Sequence, residues 1–109
     1  MNQVTIIGRL GKEPDFRYLN GGKSVANFSV ATSKKINNEQ VTQWHNIVAW
    51  NKIADVVEKF VQKGTLVAIQ GEIIYRSYDA NDGTKKYVTE IVANFLEILS
   101  SNKKDDLPF

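Results

Sequence analysis

Apolar and polar residues alternate from Asn2 to Leu10, with Val4, Ile6 and Leu10 on one side and Ile7 on the other, which predicts a first strand. Asn20-Gly21-Gly22 marks a turn, and Ser24–Thr32 (SVANFSVAT) reads as a second strand. The polar stretch Ser33–Gln40, with Asn37-Asn38 inside it, is expected to be an exposed loop leading into a third strand, Val41–Trp50. The period then changes. Ile53, Val56, Val57, Phe60 and Val61 fall at i, i+3, i+4, i+7 and i+8, the stripe of an amphipathic helix of about three turns. Asn51 is its expected N-cap and Gly64 its expected C′ residue. Thr65–Tyr78 reads as a long strand with a bend or bulge at Gly71. Asp82-Gly83 turns the chain into a last strand, Lys85–Leu99, and Ser100–Phe109 is a short polar tail.

Five strands, expected to be antiparallel, with one helix between the third and fourth, give the element order of an OB-fold barrel. Closing the sheet removes the edges that free strands would expose. An SH3-like barrel is the nearest competitor, but it does not normally hold a three-turn helix at that place. With no internal repeat and no low-complexity linker, residues 1–99 are expected to form one domain and 100–109 a tail.

Composition changes this picture little. Of the 109 residues, 42% are apolar and 24% charged, as in an ordinary globular domain. The absence of cysteine excludes a disulfide framework and a thiolate metal site, and one histidine cannot build a zinc site. No cofactor is therefore expected. No segment approaches the ~20 apolar residues of a membrane span, and no signal peptide is evident at the start, so a cytoplasmic location is expected. The net charge is only +2 and the pI near 8.9, a weak pointer to nucleic acid. Two of the twelve acids, Asp105 and Asp106, stand apart at the end of the sequence.

The third strand is the most informative. Trp44, Asn46, Val48 and Trp50 share one side, and His45, Ile47 and Ala49 the other, so both sides carry apolar groups although only one can face a barrel interior. Burial of both tryptophans is the competing structural reading. Neighbouring segments add Tyr75, Arg76 and Tyr78, then Lys85, Lys86 and Tyr87. Lys34 and Lys35 open the loop before the third strand, and Lys52 follows Trp50 closely. Rings interleaved with cations suit a flexible nucleic-acid single strand: bases stack at ~1–3 kcal/mol each while cations follow the phosphates. Glu72 and Glu90 are expected to form surface pairs with lysines. No nucleophile and base stand out as a pair, so enzymatic activity is not expected.

With these residues in view, the chain resembles the bacterial single-stranded DNA-binding protein family. The resemblance is carried by Asn2–Tyr18 (NQVTIIGRLGKEPDFRY), Val25–Ser33 (VANFSVATS), Gln43–Trp50 (QWHNIVAW), Lys63-Gly64 before Val67, Ile69 and Gly71, Arg76-Ser77-Tyr78, and Tyr87–Val92 (YVTEIV). It implies base stacking at Trp44, Trp50 and Tyr78, backbone contacts at Lys52, Lys63 and Arg76, and a subunit-interface place for His45 in a homotetramer. It also implies that Asp105-Asp106-Leu107-Pro108-Phe109 is a tip that recruits replication, recombination and repair proteins, and that the protein is nucleoid-associated. Three positions depart from the family pattern. Ile36 stands where many members have a stacking tryptophan, and Ile74 where a basic residue is common. Only Ser100–Lys104 separates the last strand from the tip, where a long linker is usual. The alternative is an OB-fold protein-interaction module of the primosome type, for which Phe109 rather than DNA affinity would be decisive.

Overall fold

The computed structural model describes residues 1–100 as β1 (Val4–Leu10), β2 (Asp15–Tyr18), β3 (Ser24–Ile36), β4 (Glu39–Trp50), α1 (Asn51–Phe60), β5 (Leu66–Asp79) and β6 (Lys85–Ser100). Strands β1, β5, β6, β4 and β3 pair in that order, and β1 also pairs with β3 through Arg9↔Ala31 and Leu10↔Val30, which closes the ring. This is the OB fold that the element order predicts. Strand β4 runs along one edge of β3, while β1 and β2 share the other edge. The two short strands therefore act as one barrel strand broken at 11–14, and the Gly11 amide bridges the break by donating to the Ser29 carbonyl at 3.3 Å.

The expectation of an entirely antiparallel set is corrected at one seam. β4 and β6 run parallel where they meet, at Ile47↔Ile91 and Val48↔Val92. Inside the ring Leu10, Phe28, Val30, Ile47, Ile69 and Ile91 are buried; α1 packs Ala54 and Val57 into the same cluster, and Val61 just after the helix joins them. Each large side chain removed from water in this way stabilises the fold by about 1.5–3 kcal/mol.

Three local expectations are also corrected. Ser33–Gln40 is not a loop: β3 and β4 continue through it as a hairpin, from Ser33↔Thr42 to Ile36↔Glu39. Asn37 (φ 52°) and Asn38 (φ 67°) make its two-residue turn, in the left-handed geometry that asparagine tolerates. Asn51 gives α1 no side-chain cap; with φ 53° its Oδ1 instead accepts from the Ser24 amide at 3.3 Å and so ties the helix start to β3. Gly64 does not end the helix, which stops at Phe60 with Val61 already extended; Gly64 (φ 89°) lies in the following turn, where its amide donates to the Leu10 carbonyl at 2.9 Å. The helical stripe also divides, because Val57 and Val61 are buried while Val56 and Phe60 are exposed. At Gly71, the expected bulge is present as a register shift between Gln70 and Gly71 against β6.

Candidate nucleic-acid interface

The register of β4 settles which way its aromatic residues face. Ile47 and Ala49 point into the barrel, so Trp44, Asn46, Val48 and Trp50 point outward, and Trp44 and Trp50 are 59% and 42% exposed. Six residues of strand separate the two rings by about 20 Å. Burial of both tryptophans as structure, the competing reading, does not hold.

Each ring borders its own depression. Trp44 lies against Gly11, where an added Cβ would overlap the Cζ3 and Cη2 atoms of the ring. Gly11, Lys12, Ser29 and Trp44 line an open hollow of about 400 Å³ there. Lys12 is a cation that pattern reading passed over; its place after the Gly11 break in the barrel strand was the available signal. The Trp50 depression, about 340 Å³, runs across the outer face from Val25 on β3 through Val48 and Val92 to Ile74 and Arg76 on β5. Ile74 thus supplies an apolar wall at a position where a basic side chain was the family pattern.

The β5–β6 arm sorts the remaining residues by face. Arg76 pairs across to Val88 and Tyr78 to Lys86, all on the face that continues from Trp50. Tyr75, Tyr87 and Lys85 belong to the opposite face, where Tyr75, Ser77 and Tyr87 border a shallow groove. All three tyrosines are exposed. The turn of this arm is pinned by Thr84, whose hydroxyl (2.6 Å) and amide (3.0 Å) both donate to Asp82 Oδ1 and hold that carboxyl below its ordinary range. Lys34 and Lys35 lie on opposite faces of the β3–β4 arm, and Ile36 is exposed near its tip. Lys52 is exposed in the first turn of α1. Lys63 sits on the loop after the helix, with its amide donating to Glu13 Oε2 at 3.1 Å. His45 is half-buried and its Nε2 meets Thr32 Oγ1 at 2.8 Å within the same chain. Asp105–Phe109 lies outside the described residues.

The expected lysine partners of the glutamates are corrected at Glu90. Its side chain is almost fully enclosed, the residue being 8% exposed, and it receives Arg76 Nε at 2.8 Å and Nη2 at 3.2 Å. That hydrogen bonding, and then the charge of the carboxylate, hold the Arg76 guanidinium above its ordinary value. Fourteen residues separate the partners, so no short spacing announced the pair.

Residues 1–99 match the family model described as the single-strand binding protein family. The chain is 38% identical over 110 residues to the single-stranded DNA-binding protein of Neisseria meningitidis, covering 96% of this chain and 63% of that protein's length. It is 44% identical over 108 residues to single-stranded DNA-binding protein 3 of Clostridium acetobutylicum, covering 94% and 75%. A solved structure described as a Plasmodium falciparum SSB complex with ssDNA superposes with a TM-score of 0.84 at 36% identity, over 91% of this chain and 95% of that one.

Proposed function

The chain belongs to the single-strand binding protein family, and on that premise we propose that it binds single-stranded DNA with little sequence preference. The observation that carries this is the pair of exposed tryptophans on one barrel face, Trp44 and Trp50, with Tyr78 continuing that face along the β5–β6 arm. Stacking on such rings accepts any base, since every base has a π face. Lys52, Lys63, Lys34, Lys35, Lys85 and Lys86 follow the phosphates, and Tyr75 and Tyr87 take bases on the far side of the arm. The action is binding rather than catalysis. It protects single strands during replication, recombination and repair, performed by a homotetramer in which His45 lies at a subunit interface. Asp105–Phe109 recruits partner proteins, its acids meeting a basic rim while Phe109 enters a pocket.

Titration with oligo-dT tests the reading. Emission of Trp44 and Trp50 is expected to be quenched, duplex of equal length to bind much more weakly, and affinity to fall as salt rises. Unchanged emission with oligo-dT at low salt would remove single-strand binding as the function.

A further inference from the structure

The geometry points to the Trp50–Arg76 groove as a subsite for a nucleobase, in which Glu90 neutralises Arg76 so that the guanidinium holds a base instead of a phosphate. This rests on the single-strand reading and deepens it at one residue.

The walls of the groove argue for a base. Val25, Val48, Ile74 and Val92 line it from four strands, with Trp50 alongside. An apolar lining of this kind strips water from whatever enters, which a flat aromatic heterocycle tolerates and a phosphate does not. A few placed polar groups within apolar walls are the usual form of a small-ligand site. Here they are Asn27 and the Arg76–Glu90 pair, which share the same lining.

The state of Arg76 argues in the same direction. A phosphate-binding arginine offers an unmatched charge and a free pair of parallel donors. In this protein Nε and Nη2 already form such a pair with both carboxylate oxygens of Glu90, leaving Nη1 as the nitrogen not engaged there. Glu90 is enclosed, so solvent does little to screen it, and the ion pair presents a dipole to an approaching phosphate instead of a net positive charge. The guanidinium plane is meanwhile fixed across the β5–β6 pair, ready to stack on a base or to donate Nη1 to a ring or carbonyl acceptor. The charge for the adjoining phosphates is available nearby, at Lys52 beside Trp50 and at Lys86 opposite Tyr78.

The test compares oligo-dT with an abasic oligomer of the same length, which keeps the phosphates and lacks the bases, across a salt series. The Arg76→Gln/Glu90→Gln double variant, which removes the guanidinium without leaving the enclosed carboxylate unpaired, is expected to weaken oligo-dT binding about fivefold or more. It is expected to leave the abasic oligomer within about twofold and the salt slope unchanged, as a contact without net charge requires. Glu90→Gln, near-isosteric and checked by thermal melting, is expected to steepen the slope by about 0.7 per protomer, because one cation is unmasked. The inference is overturned if the double variant weakens both oligomers equally and flattens the slope by about 0.7, or if it changes neither affinity. An unaltered slope in folded Glu90→Gln overturns the neutralising role. A wild-type protein that fails to bind oligo-dT brings down the single-strand reading itself, an outcome distinct from all of these.

Discussion

Gly11 and Gly71 are both closely approached, but by different kinds of neighbour. A Cβ at Gly71 would collide with the carbonyl of Val92, backbone held in the β5–β6 ladder that cannot withdraw. A Cβ at Gly11 would meet only the outer end of the exposed Trp44 ring, which can swing aside. Gly71→Ala is therefore expected to cost about 1–3 kcal/mol, with melting lowered by roughly 4–8 °C per kcal/mol. Gly11→Ala is expected to melt within a few degrees of wild type while shifting Trp44 emission and weakening oligo-dT binding. Thermal melts and fluorescence of the two variants separate these effects, and a Gly71→Ala protein as stable as wild type would contradict the argument. At this scale the sequence was informative wherever a residue type carries its own chemistry: the tryptophans, the tyrosines, the lysines and the glycine of the bulge. It was silent on Glu90, because a carboxylate becomes the partner of an arginine fourteen residues away only once the hairpin register is set.

Elements were legible where one face is buried and the other wet. β1 and β3 from Ala26 to Val30 alternate because the barrel interior imposes a period of two. The outer parts of β3 and β4 run beyond the core: Lys34, Lys35, Glu39 and Gln40 are all exposed, so no apolar alternation marks them as strand. Only the Asn37-Asn38 turn signalled that arm, since two consecutive left-handed residues twist a hairpin in the sense its strands require. Asn38→Gly is expected to leave the arm intact or slightly stabilised, and Asn38→Val to destabilise it by about 1–2 kcal/mol, because a branched side chain fits the left-handed region poorly. Amide exchange across Ser33–Gln40 reads this directly; equal protection in the two variants would argue against the turn as the arm's organiser. The helical stripe misled for a related reason. α1 rests on the barrel along a line narrower than its apolar face, leaving Val56 and Phe60 outside.

At the scale of the whole molecule, two of the apolar surfaces left uncovered among the described residues bear on ligand and assembly. One is the Trp44–Trp50 face. The other is the outer side of β1, β5 and β6, where Ile7 (57% exposed) and Phe95 (47% exposed) lie diagonally across β5, flanked by Ala68 and Gln70. A homotetramer of the kind proposed has to cover about 1,000 Å² or more at each stable contact, and an exposed apolar sheet face is the surface suited to it. In a two-fold contact each residue meets the same face of its neighbour, so a charge placed at Ile7 enters the interface twice and with the same sign. Ile7→Glu is expected to lower the mass in solution below that of wild type, measured by sedimentation equilibrium. Quenching per bound protomer is expected to persist, since Trp44 and Trp50 both stand on β4, which does not neighbour β1 in the sheet. An Ile7→Glu protein of wild-type mass would take this face out of the assembly, and a monomeric wild type would end the tetramer reading. The strand patterns indicated that apolar groups lay on the outside of the barrel as well as within it. Which of them meet a ligand and which another subunit depends on how the ring closes, and that closure, β6 lying parallel to β4, joins Ile47 to Ile91 across 44 residues, a separation beyond the reach of any local pattern.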